Sequence, residues 1–280
     1  MKPWQTILCH QQAHIAMDES TAPEFFTGGA RLVTLDAGKG RLTAATLSSY
    51  LDRQALHIPH NPVPGALSIT QANEAGQVYS VQEITELAQL AHAKGLKLHM
   101  DGARFSNAVA STGASPAEMT WRAGVDVLCL GASKNGCLAA EMVIFFDTTL
   151  AEGFEFRRKR TGHLLSKGRL LGAQVEAWFA DGHWLNLAKH ANEMAMRLAE
   201  GLSSLDVVDI IWTVDANELF LMLPKDKVHY LQSQGAVFYD WDDTTLPAGY
   251  VVKETHQFVR MVTSFATTQS EVDQFVSLLR

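Results

Sequence analysis

Cysteine is scarce in this chain: Cys9, Cys129 and Cys137 are the only three in 280 residues. None stands at a metal-ligand or disulfide spacing. That excludes a cysteine-built zinc site and a disulfide scaffold, and fits reduced thiols in a cytoplasmic protein. Long apolar runs are missing too. No stretch approaches the roughly 20 residues that a membrane helix needs, and the opening Met1-Lys-Pro-Trp-Gln5 lacks the apolar core of a secretory signal. Positive charge is in deficit: 23 Lys and Arg against 30 Asp and Glu give a net charge of −7. Without a basic stripe, nucleic acid is not an expected partner. A Walker loop, a dinucleotide fingerprint and a Gly-x-Ser-x-Gly elbow are all absent. Gly28-Gly29 and Gly38-Lys39-Gly40 read as plain turns. What is present is an ordinary apolar fraction of 47%, enough for one large domain or a large and a small one.

Two short apolar runs, 96–100 and 125–130, read as buried strands. Each is followed by a polar residue of interest: Asp101 in His99-Met-Asp-Gly-Ala-Arg104, and Lys134 in Gly131-Ala-Ser-Lys-Asn-Gly136. One short helix is expected between them at 115–124, with Ser115 as N-cap, Pro116 in the first turn, Glu118 as box partner and Gly124 as the stop. A single helical crossover makes the two strands parallel and brings Asp101 and Lys134 to the same carboxyl edge, where open α/β sheets build their sites. Further strands are expected at 65–70 and 141–146. A helix is expected at 81–94, opened by Ser80 and Glu83, striped by Ile84, Leu87, Ala88 and Ala91, and stopped by Gly95.

This alternation predicts an α/β fold with a mostly parallel sheet covered on both faces. After Asp147 the composition shifts. A basic cluster, Arg157-Arg-Lys-Arg160, precedes helices at 164–180 and 184–202. Short strands (219–223, 258–264) then alternate with helices (227–234, 271–279). The expected division is a large domain over 1–165, then an interdomain helix and a small α+β domain over 166–280.

A carboxylate and a lysine facing one crevice are what pyridoxal phosphate requires. The lysine holds its aldehyde as a Schiff base, and the carboxylate keeps the pyridine nitrogen protonated so that the ring accepts electrons. Desolvation would lower the pKa of Lys134 for that task; the alternative is a solvated lysine in a glycine-rich turn. Asp101 could equally be a turn residue or helix cap. The planar guanidinium of Arg104 suits a carboxylate gripped by two parallel bonds. His99 and Asp101 would share a face only if the strand ran through Asp101, and no third ligand is evident, so no metal is expected. His14, with His10 as a rival, is a candidate to stack on a cofactor or act as a base, or else a structural histidine. Arg260 either reaches the crevice from the small domain or makes a surface ion pair.

Together these segments resemble the low-specificity L-threonine aldolases, in the β-eliminating lyase branch of the aspartate-aminotransferase-like pyridoxal phosphate enzymes. The resemblance is carried by His10-Gln-Gln-Ala-His14 with Asp18-Glu19, Thr27-Gly-Gly-Ala-Arg31, Glu74-Ala-Gly76, the Asp101 and Lys134 motifs, and Arg260-Met-Val-Thr-Ser-Phe265. It spans nearly the whole chain. It implies a fold type I large domain with pyridoxal 5'-phosphate as cofactor. Lys134 is implied as the Schiff-base lysine, Asp101 as the pyridine-nitrogen partner, and His14 as the residue stacked on the ring, helping to deprotonate the substrate hydroxyl. Arg104 and Arg260 are implied to hold the α-carboxylate, and Ser133 to contact the phosphate.

The implied reaction is retro-aldol cleavage of a β-hydroxy-α-amino acid to glycine and an aldehyde, in a homodimer or homotetramer. The alternatives are another pyridoxal phosphate β-eliminating lyase, or an inactive truncated homologue that does not retain cofactor. In one respect the chain departs from the family pattern, whose members carry a preceding segment with a Ser-Gly-Thr turn that holds the phosphate at a helix N-terminus. The resemblance therefore implies that this turn is lacking here and that cofactor binding is weaker, since each lost bond to a charged group costs about 1.5–3 kcal/mol. Arg157-Arg-Lys-Arg160 is the cluster that would supply substitute phosphate contacts.

Overall fold

Short apolar runs assemble into a six-stranded sheet in the computed structural model, which describes residues 1–38, 40–53 and 58–280. The strands are β1 (Gln5–His10), β2 (Arg31–Leu35), β3 (Val63–Thr70), β4 (Lys97–Gly102), β5 (Val127–Gly131) and β6 (Glu141–Phe145), in spatial order β2-β1-β3-β4-β5-β6. Neighbours are parallel except β5 and β6. The segments between these strands supply α1 (His14–Met17), α2 (Ala22–Thr27), α3 (Ala44–Asp52), α4 (Val81–Ala93) and α5 (Phe105–Thr112). Lys39, in the expected Gly38-Lys39-Gly40 turn, lies outside the described residues.

Three helices follow: α6 (Phe154–Arg160), α7 (Arg169–Phe179) and α8 (His183–Ser203). They lead into a four-stranded antiparallel sheet of β7 (Asp209–Ile210), β8 (Glu218–Pro224), β9 (Tyr239–Asp240) and β10 (His256–Val262), ordered β7-β8-β10-β9. Helices α9 (Lys225–Ser233) and α10 (Gln269–Leu279) complete this part.

Local chemistry accounts for α4 as expected. Ser80 accepts from the Glu83 N–H, Glu83 accepts from the Ser80 N–H, and Ile84, Leu87, Ala88 and Ala91 are buried. Gly95 ends the turn with φ +76°, a conformation that a side chain would oppose.

The crossover between β4 and β5 is different from the sequence expectation. It is α5, starting directly after Arg104, and not a helix at 115–124. Phe105, Ser106, Asn107, Ala108 and Val109 are all buried, so polar Ser106 and Asn107 interrupt the apolar pattern that would mark a helix in the sequence. Ser115 and Glu118 do exchange their capping bonds, yet the chain continues only as turns and a short 3-10 stretch, Trp121–Ala123. Thr120 leaves the helical region (φ −126°, ψ −106°) and Gly124 reverses the backbone at φ +100°. Strand β4 also runs on through Asp101, so this carboxylate projects from the strand itself. Helix α7 begins later than expected, because Gly162 and Lys167 both adopt positive φ before it.

Each sheet has its own apolar core, the first around Leu8, Leu67, Leu98, Met100 and Leu128, the second around Leu219, Leu221, Leu223 and Val259. The buried stripe of α8 (Trp184, Ala188, Ala191, Ala195, Leu198, Leu202) runs from one to the other. Trp178 and Trp184 pack into the first core. Among the described residues, no helix is long and apolar enough to cross a membrane.

Gly102, beside Asp101, lets β4 approach β5. A Cβ there would stand 2.7 Å from the Cys129 carbonyl oxygen and 2.7 Å from Leu128 Cδ1. Gly102→Ala is therefore expected to lower the unfolding free energy by about 1–3 kcal/mol, seen as a lower urea midpoint. An unchanged midpoint would mean that the strand spacing yields without cost.

Candidate active site

Because β4 and β5 are parallel, with Asp101 opposite Cys129, their carboxyl ends open onto one side. A cavity of about 640 Å³ lies there. It brings together Asp101, Lys134, His14, Arg104 and Arg260, five of the six residues expected from the sequence. Ser133 is not among the lining residues; it is exposed and its Oγ accepts from the Ala140 N–H at 3.3 Å.

The turn bearing Lys134 is anchored by its neighbour. Asn135 is buried; its Nδ2 donates to the Trp184 carbonyl at 2.8 Å, and its own carbonyl accepts from the Trp178 indole at 2.8 Å. The Lys134 side chain opens onto the cavity, but the surrounding protein displaces enough water to lower its pKa. Desolvation is the main cause, the nearby Arg104 charge adds to it, and Glu218 and Asp101 partly oppose it. The result favours the neutral, nucleophilic amine.

Asp101 fits both of its readings. Its Oδ1 accepts from the Ala103 N–H at 3.0 Å, closing a turn, while the residue lines the cavity. His14 is exposed, with Nδ1 3.0 Å from Glu19 Oε1. His10 is buried outside the cavity lining, where burial lowers its pKa. His99 does share a strand face with Asp101, but its ring nitrogens engage Ser68 Oγ at 2.9 Å and Cys129 Sγ at 3.3 Å. Donor atoms of His14, Glu19 and Asp101 instead lie within 4.8 Å of one another, a spacing that one hydrogen bond beside a carboxylate also produces.

Several lining residues gave little sequence signal. Glu74 was conspicuous only as part of a motif. Its Oε1 accepts from the His14 N–H at 2.7 Å and from Thr70 Oγ at 2.8 Å. Burial nevertheless pushes its pKa up to about 7, against those bonds and with help from the Asp101 charge. Glu218, at the start of an apolar strand, was missed. It is 2% exposed, and its Oε1 lies 3.0 Å from Arg104 Nη2 and 3.4 Å from Arg260 Nε. Trp241 was also missed; its ring centre lies 4.4 Å from the Arg260 guanidinium carbon. Glu218 and Arg260 share one face of the β8–β10 pair, since Phe220 is opposite Arg260 and Val262 opposite Glu218. That placement was accessible only once the register was known.

The second sheet is fastened to this edge by the loop after β3. The Val78 N–H donates to Asp215 at 3.1 Å, and Gln77 Nε2 donates to Thr213 at 3.4 Å. Gly76 (φ +70°) lies against β8 so closely that a Cβ would meet the Glu218 carbonyl at 3.2 Å. By contrast, Arg157-Arg-Lys-Arg160 is exposed on α6 and takes no part in the cavity lining.

Known proteins resemble the chain as a whole. The model of the Beta-eliminating lyase family matches residues 1–225. The chain belongs to this family. This lyase is 41% identical over 237 residues to a low specificity L-threonine aldolase of a Pseudomonas strain, covering 84% of this chain and 68% of that one. It is 42% identical to the Pseudomonas aeruginosa protein of that description over the same shares of the two chains. A solved Leishmania major threonine aldolase superposes with a TM-score of 0.90 at 28% identity, over 100% of this chain and 78% of that one. The lyase therefore has the fold type I architecture, a mostly parallel sheet with a smaller antiparallel one.

Glu74 makes a pH prediction for the lyase. Its folded pKa of about 7 exceeds the ordinary 4.5, so between those values the folded chain holds a proton that the unfolded chain has released. Stability from this group is thus fully present below 4.5 and is lost as pH rises towards 7. Glu74→Gln, which titrates nothing, is expected to be more stable relative to wild type near pH 8 than near pH 5, by on the order of 3 kcal/mol. Urea unfolding of both proteins at the two pH values checks this, and an equal difference at both would refute it.

Proposed function

We propose that this lyase uses pyridoxal 5'-phosphate to cleave L-threonine, L-allo-threonine and related β-hydroxy-α-amino acids to glycine and an aldehyde. The observation that carries the reading is the convergence of Lys134, Asp101, Arg104 and Arg260 on one cavity. The donor set fits the cofactor. Lys134 offers a nucleophilic amine for the aldehyde, Asp101 a carboxylate for the pyridine nitrogen, and His14 an exposed imidazole to lie against the ring. Ser133, one residue before the lysine, is the candidate for the phosphate. When bound, the cofactor supplies the electron-poor ring that takes up the electron pair of the broken bond.

The protein's own groups do the rest. Arg104 has a buried Nε–H without a hydrogen-bond partner, and Arg260 lines the same cavity, a pair suited to the α-carboxylate and to fixing which substrate bond faces the ring. His14, paired with Glu19, is placed to accept the β-hydroxyl proton. A β-eliminating lyase of other specificity would use the same lysine and carboxylate. The identity to L-threonine aldolases favours cleavage between Cα and Cβ.

The same reading makes the protein a cytoplasmic homodimer or homotetramer. Its three free cysteines support the compartment, and the exposed Phe25, Leu138, Phe156 and Leu170 support association between copies.

Two measurements test the function. Wild type with pyridoxal phosphate is expected to show a visible absorbance band that Lys134→Ala lacks, and to release glycine from L-threonine. Pyruvate or ammonia without glycine would favour elimination instead. Arg104→Lys, which exchanges a planar fork for a point charge, is expected to raise KM for L-threonine by about tenfold. An unchanged KM would remove Arg104 from carboxylate binding.

A further inference from the structure

Arg104 and Arg260 do not meet the cavity as two free cations. Glu218 stands between them with one oxygen near both guanidiniums. All three side chains are withdrawn from water, at 13%, 23% and 2% exposure for Arg104, Arg260 and Glu218. Burial lowers the pKa of Arg260, which the Glu218 charge opposes. Two positive charges and one negative leave the cluster at +1. Its hydrogen bonding is also incomplete: Arg104 Nε and Glu218 Oε2 are buried without a hydrogen-bond partner, and Arg260 Nε has only the ion pair with Glu218. One anion would give the arginine N–H donors their acceptor and cancel the remaining positive charge. Among the described residues of the lining, the one further lysine or arginine is Lys134, which the proposed function gives to the cofactor, and Asp240 and Asp242 add negative charge.

We propose that Glu218 is a specificity-determining residue, which cancels one arginine charge and so restricts the site to ligands with a single carboxylate. The proposal rests on the carboxylate-binding role given above to Arg104 and Arg260. Glu218 lines the same cavity and acts through the two arginines it stands between.

The test is calorimetric titration of the intact protein with propionate and with malonate. Glu218→Gln keeps the shape and removes the charge, raising the cluster to +2. The ratio of the two dissociation constants is expected to shift towards malonate by at least tenfold. Glu218→Asp, which keeps the charge, retains the wild-type preference. Should Glu218→Gln fail to fold, Arg104→Gln reads the same charge count from the other side: the cluster falls to zero, and the ratio shifts against malonate. A ratio unmoved in the folded variants, with both ligands weakened together, would make Glu218 a structural tie and overturn the proposal. Failure of the underlying reading looks different, since wild type would then bind neither ligand and Arg260→Lys would change nothing.

Discussion

Parallel pairing of β4 with β5 is the constraint on which the rest depends. It makes the chain leave both strands on the same edge, and it forces the return between them through α5. Asp101 is presented by the strand itself, Arg104 by the step into the helix, and Lys134 by the turn after the next strand. Each is thereby held by sheet hydrogen bonds or by a buried clip, and not by a free loop. Rigid support of this kind is what positions reactive groups to within a fraction of an ångström. Gly102 belongs to the same constraint, because the strands can approach only where no side chain intervenes.

The second sheet supplies the opposite wall, and electrostatics joins the two. Desolvation lowers the pKa of Lys134 and raises that of Glu74, so a base and an acid lining one cavity are both moved towards neutrality. Burial lowers the pKa of Arg260 as well, and the Glu218 charge opposes that shift. The apolar stripe of α8 carries the connection, being shared by both cores.

Much of this was legible in the sequence. Strand-ending motifs with polar tips announced Asp101 and Lys134, and α4 was readable because its cap, stripe and glycine stop all agreed. The crossover helix was not, because α5 buries Ser106 and Asn107 among its apolar residues, while the capping pair Ser115 and Glu118 promised a helix that Thr120 and Gly124 break off. His14 was preferred to His10 on the resemblance, and of the two it is His14 that lines the cavity. Glu218 was hidden for another reason: an acid before an apolar run looks like a solvated strand end until the register with β10 places it between two arginines.

The clip on Asn135 has a bearing on how the protein ages. Asn135 precedes Gly136, the pairing in which a backbone nitrogen most readily attacks the side-chain amide to form a succinimide. Here the amide is held by the Trp184 carbonyl, and the residue's own carbonyl by the Trp178 indole, so the two reacting atoms are kept from turning towards each other. Packing of two tryptophans thus doubles as chemical protection for Asn135, next to Lys134, and local opening at α7 and α8 would expose this turn to slow, irreversible loss of that amide.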